Sequence, residues 1–245
     1  MRLYQHGGLQ GLELWHGLAR HSTLYQLRED KASYFAGLSE FLAELHAGKA
    51  RTAVGTSLGA AGGFEELLLT GGDAEAASAA VACSHRLVNP GPYAARPGAE
   101  AVWRELGWRR PVALDLGQSR LKVLSPQGSA FFDRDESALP FGKDALPAGL
   151  GRERLLDLLR PHIPRGCDGV LLALPTALQK DGEAESSTYP GLYGAVEPLF
   201  APLFGETPWV VVNDAVLAAR GYPPPPGRKR LVITLGFGVG GALWH

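Results

Sequence analysis

Apolar positions follow two rhythms along this chain, and the rhythm changes at residue 111. From Pro111 onward the runs are short and strand-like. Val112–Leu116 is apolar, Arg120–Leu124 alternates, and Ala130–Phe132 forms a third short run, with turn glycines at Gly117 and Gly128. This spacing predicts a three-stranded meander. Arg152–Arg160 sets Leu155, Leu156 and Leu159 on one helical face. Gly169–Pro175 is a continuous apolar run ending in proline, as expected of a strand buried on both faces. A helix over about 195–203, a strand at Trp209–Val212 and a helix from Ala215 follow. The predicted order is βββαβαβα. After Pro223–Pro226 and the basic triplet Arg228–Arg230, a second hairpin pairs LVITL with VGGALW.

The first 110 residues read differently. Tyr34, Phe35, Leu38, Phe41, Leu42 and Leu45 recur at helical spacing and predict an amphipathic helix over 33–45. A short strand at Leu67–Leu69 runs into Thr70, Gly71 and Gly72, and another helix covers 98–107. Only Trp108, Arg109 and Arg110 separate that helix from the strand at Val112.

Composition narrows the classes. Hydrophobic residues make up 45% and charged residues 20% of 245 positions, the balance of a globular protein. A net charge of −1 argues against a nucleic-acid binder, and no apolar run is long enough to span a bilayer. The N-terminus lacks the apolar core of a signal peptide. Cys83 and Cys167 are far apart and unpaired in sequence, so reduced thiols in a cytoplasmic setting are expected.

Four motifs could carry chemistry. In VALDLGQSRLKVL, Asp115 ends a strand and a turn through Gly117, Gln118 and Ser119 returns toward Lys122. A carboxylate there can hold Mg²⁺ through water, and turn N–H groups can face phosphate; an ordinary turn with a capping aspartate also fits. In LVITLGFGVGGALW, Gly236, Gly238, Gly240 and Gly241 crowd one hairpin, which suggests close backbone approach to a ligand. WVVVNDAVLAARG delivers Asn213 and Asp214 at the end of a buried strand, where open α/β sheets bind ligands and where a helix N-cap would also sit. FEELLLTGGDA runs a strand into Gly71 and Gly72, which is equally the pattern of a plain strand-to-helix turn.

Taken together, DLGQS, LALPT, DGEAESSTYPGLYG, VVNDA and LGFGVGG resemble, in that order, the actin-like ATPase superfamily and most closely its ROK sugar kinases. That family's later motifs have counterparts at the front of this chain. GGLQGLELWH looks like its sugar-contacting segment through Glu13 and His16, TGGD like its adenosine segment, and GAEAVWRELG like its last helix. The resemblance implies a two-lobed, circularly permuted ribonuclease-H-like α/β fold. Residues 111–228 would form the phosphate-1 lobe, joined by the helix at about 94–107. Residues 1–93 with 229–245 would form a second lobe carrying the phosphate-2, substrate and adenosine motifs. The short helix-to-strand connection and a cut in a hairpin make such a rearrangement physically reasonable.

The resemblance further implies an ATP-dependent kinase for a sugar or similar small hydroxyl compound. Asp214 would be the general base, and Asn213, Glu13 and His16 would hold substrate hydroxyls. Asp115 would organise Mg²⁺, and Gly117, Gln118, Ser119, Lys122, Gly236, Gly238, Gly240, Gly241, Gly71 and Gly72 would contact ATP. Three departures from the family pattern are Gln118 for glycine, Phe237 for a small residue and Trp15 for glycine. The family's Cys-rich zinc segment has no counterpart, so zinc is not expected. Two other readings stay open: a type III pantothenate-kinase-like enzyme, and a non-catalytic nucleotide-binding regulator. A homodimer closed by exchange between two chains is also left open.

Overall fold

The computed structural model describes residues 2–3, 18, 29–51, 63–142, 144–179, 181–184, 188–236 and 238–244. The chain divides into two compact units, one of residues 1–5 and 98–217, the other of residues 6–97 and 218–245.

The first unit is built on a six-stranded sheet. Its strands are β1 (Arg2–Leu3), β4 (Pro111–Leu116), β5 (Arg120–Ser125), β6 (Gly128–Asp133), β7 (Gly169–Leu174) and β10 (Trp209–Asn213), in the order β1-β10-β7-β4-β5-β6. The meander β4-β5-β6 is antiparallel, whereas β7 and β10 extend the sheet in parallel to β4. Side chains alternate across a strand. Val112, Leu114, Leu116, Leu172, Leu174 and Val211 therefore pack in one core with Leu155 and Leu159 of α4 (Ala148–Leu159) and Phe200 and Phe204 of α5 (Val196–Phe204). The alternate set, Ala113, Leu171, Ala173, Val210 and Val212, is equally buried, so the central strands are covered on both faces. α3 (Arg96–Leu106) and α6 (Asp214–Arg220) meet backbone to backbone at Gly98. A Cβ there would lie 1.7 Å from the Leu217 carbonyl oxygen, a contact only glycine permits.

The βββαβαβα order expected over 111–220 is the observed one, with a small hairpin, β8 (Glu183–Ala184) and β9 (Gly194–Ala195), inserted between β7 and α5. Arg2–Leu3 differs from expectation. Read with the second unit from the permuted order, it instead pairs in parallel with Val210–Val211 and joins the first sheet.

The second unit carries a four-stranded sheet. β2 (Glu66–Gly71), β3 (Arg86–Pro90), β11 (Arg230–Leu235) and β12 (Val239–Trp244) lie in the order β12-β11-β2-β3. Leu67, Leu69, Leu231 and Ile233 pack with Tyr34, Leu38, Phe41, Leu42 and Leu45 of α1 (Lys31–His46), the predicted amphipathic helix. Each such fully buried Leu contributes roughly 1.5–3 kcal/mol relative to exposure. A short helix, α2 (Ala74–Ser78), follows β2. Among the described residues no helix is long and apolar enough to cross a membrane.

Candidate functional site

In the first unit the parallel strands end at one side of the sheet. Asp115 lies beside Ala173 on β7, and Ala173 beside Val212 on β10, so Asp115, Leu174 and Asn213 sit near one another at the carboxyl ends of three adjacent strands. Ligands of open α/β sheets bind at such ends. Asp115 is 2% exposed, and its direct antiparallel partner is Lys122. The Lys122 ammonium donates to Asp115 Oδ2 over 2.9 Å. Asp115 Oδ1 is buried with no hydrogen-bond partner among the described residues. A buried carboxylate oxygen left unmatched costs free energy that a ligand or ion can recover.

Asp214, the first residue of α6, completes the cluster. It retains some accessible surface while protein crowds it closely, and its Oδ1 accepts from Ala215 N at 2.7 Å. Burial, and next the Asp115 charge, push its carboxyl up to about 7, with Lys122 and backbone N–H groups pulling the other way. Burial acts to lower the Lys122 ammonium, but Asp115 and then Asp214 outweigh it and hold the group above its ordinary value. Asp115 thus pairs directly with the ammonium, while Asp214 feels the charges of both.

Asn213, read from the sequence as a substrate contact, has its amide engaged within the protein. Its Nδ2 donates to Thr176 O at 3.0 Å and Leu174 O at 3.5 Å, and its Oδ1 accepts from Val216 N at 3.0 Å. Both amide hydrogens are committed to the end of β7, while the oxygen caps α6. Asn213 thus ties the end of β7 to the first turn of α6, where Asp214 sits.

The turn after Asp115 is tightly held. A Cβ on Gly117 would lie 2.9 Å from the Arg120 carbonyl oxygen and 3.4 Å from Lys122 Nζ, which accounts for glycine there. The Tyr189 hydroxyl donates to Gly117 O at 2.6 Å, and Arg134 Nη1 donates to Gln118 O at 3.1 Å. Gln118 Oε1 is buried without a partner among the described residues, and Ser119 is exposed. Arg134 and Tyr189 were not singled out in the sequence. An arginine between two aspartates, Asp133 and Asp135, has the pattern of a solvated surface charge, and only its burial here reveals otherwise.

In the second unit the TGGD turn and the glycine hairpin come together. Gly71, at φ 105°, would place a Cβ 2.2 Å from Leu235 O, and Asp73 N donates to that same oxygen at 3.1 Å. Gly71 is thus required by its packing on β11, whereas a Cβ on Gly72 would meet open space. Gly236 N donates to Gly238 O at 3.1 Å across the hairpin turn, while Gly240 and Gly241 lie within β12 opposite Thr234 and Ile233. Glu13, His16, Trp15 and Phe237 lie outside the described residues.

Among the described residues no group of three or more His, Cys, Asp or Glu forms a metal cage. One carboxylate with a free, buried oxygen does fit a Mg²⁺ held largely by water and phosphate oxygens, the usual habit of that ion. Cys83 and Cys167 are free thiols, each pushed up by burial.

No family model matches this chain, and no curated protein matches it either. Among solved structures, a ROK family protein from Streptococcus pneumoniae TIGR4, in complex with sucrose, matches 56% of the chain at 20% identity with a TM-score of 0.39. The match spans 46% of that protein's length. At this distance the functional reading rests on the residues of this chain itself.

Proposed function

We propose that the protein is an ATP-dependent phosphotransferase acting on a sugar or a similar small hydroxyl compound. The observation that carries this is the Asp115–Lys122–Asp214 cluster beside the Gly117 turn, at the carboxyl ends of parallel strands. The strand order β6-β5-β4-β7-β10, a meander continued by two parallel strands, supports a ribonuclease-H-like lobe. The short Gly107–Arg110 connection from α3 into β4 supports the permuted order.

In this mechanism Asp214 takes the proton of the acceptor hydroxyl. The acceptor oxygen then bonds to the γ-phosphorus of ATP as the bond to the ADP oxygen breaks. With a proton affinity near neutrality, Asp214 can accept that proton and later release it to water. Lys122 spends one hydrogen on Asp115, and among the described residues makes no other hydrogen bond, so its remaining hydrogens can meet phosphate oxygens. Phosphoryl transfer needs mainly such positioning and charge compensation. Asp115 would hold Mg²⁺ through water, and the ion would supply further neutralisation of phosphate charge.

The test is ATP turnover against a panel of sugars, amino sugars, sucrose and pantothenate, with Asp214→Asn in parallel. We expect turnover with at least one hydroxyl acceptor. Loss in the variant should be on the order of 10²–10⁴-fold, the usual worth of a general base, with ATP binding retained. ATP binding without turnover on any acceptor favours a nucleotide-binding regulator. Turnover confined to pantothenate favours the pantothenate-kinase reading.

A further inference from the structure

Arg134 is a buried arginine, 6% exposed, whose guanidinium has no carboxylate hydrogen-bonded to it among the described residues. Four hydrogen bonds join it to backbone carbonyls. Nε donates to Leu139 O at 2.6 Å, Nη1 to Gln118 O at 3.1 Å, and Nη2 to Pro140 O at 2.5 Å and Thr188 O at 3.2 Å. Its guanidinium carbon lies 3.8 Å from the ring centre of Tyr189 and 4.2 Å from that of Phe141. Burying an unpaired cation is costly unless its donors are all used and its charge is matched by dipoles or π-faces. Here that cost is incurred to tie three separate segments to one turn.

The turn is the one after Asp115, and it is held at three successive carbonyls. Tyr189 Oη donates to Gly117 O, Arg134 Nη1 to Gln118 O, and the Arg134 backbone N–H to Ser119 O at 2.9 Å. In a planar trans peptide the N–H points opposite to the C=O. Drawing the Gly117 and Gln118 carbonyls toward Arg134 and Tyr189 therefore turns the N–H groups of Gln118 and Ser119 the other way. Neither N–H donates to any described residue. The Lys122 ammonium borders the same turn, 3.4 Å from where Gly117 would carry a Cβ. Outward N–H groups beside a cation make an anion-binding concavity.

We propose that Arg134 and Tyr189 act as a clamp that presets this turn for a phosphate group, as positioning residues that do not themselves touch the ligand. The assignment rests on the phosphotransferase reading for the identity of the anion as a nucleotide phosphate. It does not rest on that reading for the geometry. Tyr189 adds rigidity by its own burial, and its loop is bound to the rest of the unit through Gly142 N to Thr188 O at 2.8 Å and Arg152 Nε to Gly191 O at 3.3 Å.

The experiment follows the backbone amide resonances of Gln118 and Ser119 in the full chain during separate titrations with Mg-ATP, tripolyphosphate and adenosine. Wild type should shift both amides with ATP and with tripolyphosphate, but not with adenosine. Arg134→Lys and Tyr189→Phe should each weaken ATP and tripolyphosphate binding about tenfold, the effect of losing roughly one hydrogen bond. Adenosine affinity should be unchanged in both. Tyr189→Phe removes a single hydroxyl and serves as the readout if Arg134→Lys does not fold. ATP binding that leaves both amides unmoved overturns the clamp while the kinase reading stands. Amide shifts with tripolyphosphate, with no binding of ATP, support the clamp and overturn the nucleotide reading. Unchanged ATP affinity in the folded variants overturns the clamp, as does a parallel loss of ATP and adenosine affinity, which marks a merely structural role.

Discussion

Two in-register ion pairs, one in each unit, join neighbouring strands for opposite ends, across a parallel pair in the second unit and an antiparallel pair in the first. In the second unit Arg230 on β11 sits opposite Glu66 on β2. Its Nε reaches Glu66 Oε2 at 2.7 Å, Nη2 reaches the same oxygen, and Nη1 takes Tyr222 O at 3.0 Å and Pro223 O at 2.5 Å. Glu66 also meets Arg228 at 3.6 Å, and the hydrogen bond from Arg230 holds its carboxyl below the ordinary range. Every nitrogen of Arg230 is engaged, and the pair staples the end of the proline segment to the sheet. In the first unit Lys122 and Asp115 are just as well aligned, yet among the described residues one carboxylate oxygen and most of the ammonium's donors are left over. A saturated buried pair holds structure; an unsaturated one keeps a capacity to bind. The difference lies in the headgroup as well, because a guanidinium offers a planar fork of donors and an ammonium acts as a point charge.

Breaking the two pairs separates them most sharply. Lys122→Met leaves Asp115, with 3% of its side chain exposed, as an unpaired buried carboxylate and should cost on the order of 3–5 kcal/mol in denaturant unfolding. Adding Asp115→Asn to it should restore much of that stability but not nucleotide affinity. Arg230→Met leaves Glu66 with 28% of its side chain in water, so a smaller loss of stability is expected. Equal losses for both single variants would erase the distinction.

The pH dependence sharpens the same contrast. Asp214 is raised in the folded state, so the stability linked to its protonated form is present below its unfolded value of 3.8 and is lost as pH rises to about 7. Stability of wild type relative to Asp214→Asn should therefore fall between about pH 4 and pH 7 and stay level above, as read from unfolding midpoints. If Asp214 is the base, kcat/KM should rise with pH and reach its plateau just above 7. Glu66 works in the opposite sense: its lowered carboxyl adds stability above its unfolded value that is lost only on acidification.

Neighbouring glycines give the smallest effects. Gly71→Ala forces a Cβ against Leu235 O at positive φ and should cost about 1–3 kcal/mol. Gly72→Ala enters open space and should stay within about 0.5 kcal/mol by thermal denaturation.

Much of this architecture could be read from residue patterns. The meander, the unbroken apolar run of the doubly buried β7 and the helical period of α1 each have a single physical cause. β3 was missed because RLVNP is short, ends in proline and is largely exposed, so no alternation marks it. The placement of Asp115, Gly117 and Asp214 at a strand end, a tight turn and a helix start was legible because such positions leave local signatures; their roles belong to the proposal. The engagement of the Asn213 amide could not be read, because nothing in VVND reveals that the Leu174 and Thr176 carbonyls will accept from it. Arg134 and Tyr189 were invisible for a related reason. Their partners at Gln118, Leu139, Pro140 and Gly117 are backbone atoms, and backbone atoms have no identity in a sequence.

The hairpin that joins β4 to β5 also has a history in time. Lys122 and Asp115 are seven residues apart and meet by closing one tight turn, among the fastest and least entropically costly steps a chain can take. β7 and β10 must arrive from far along the sequence, and long-range parallel pairing is slow. The cation and its first carboxylate are thus expected to find one another early. The same cation thus meets its first carboxylate through a local contact and Asp214 only through strands brought from far along the chain.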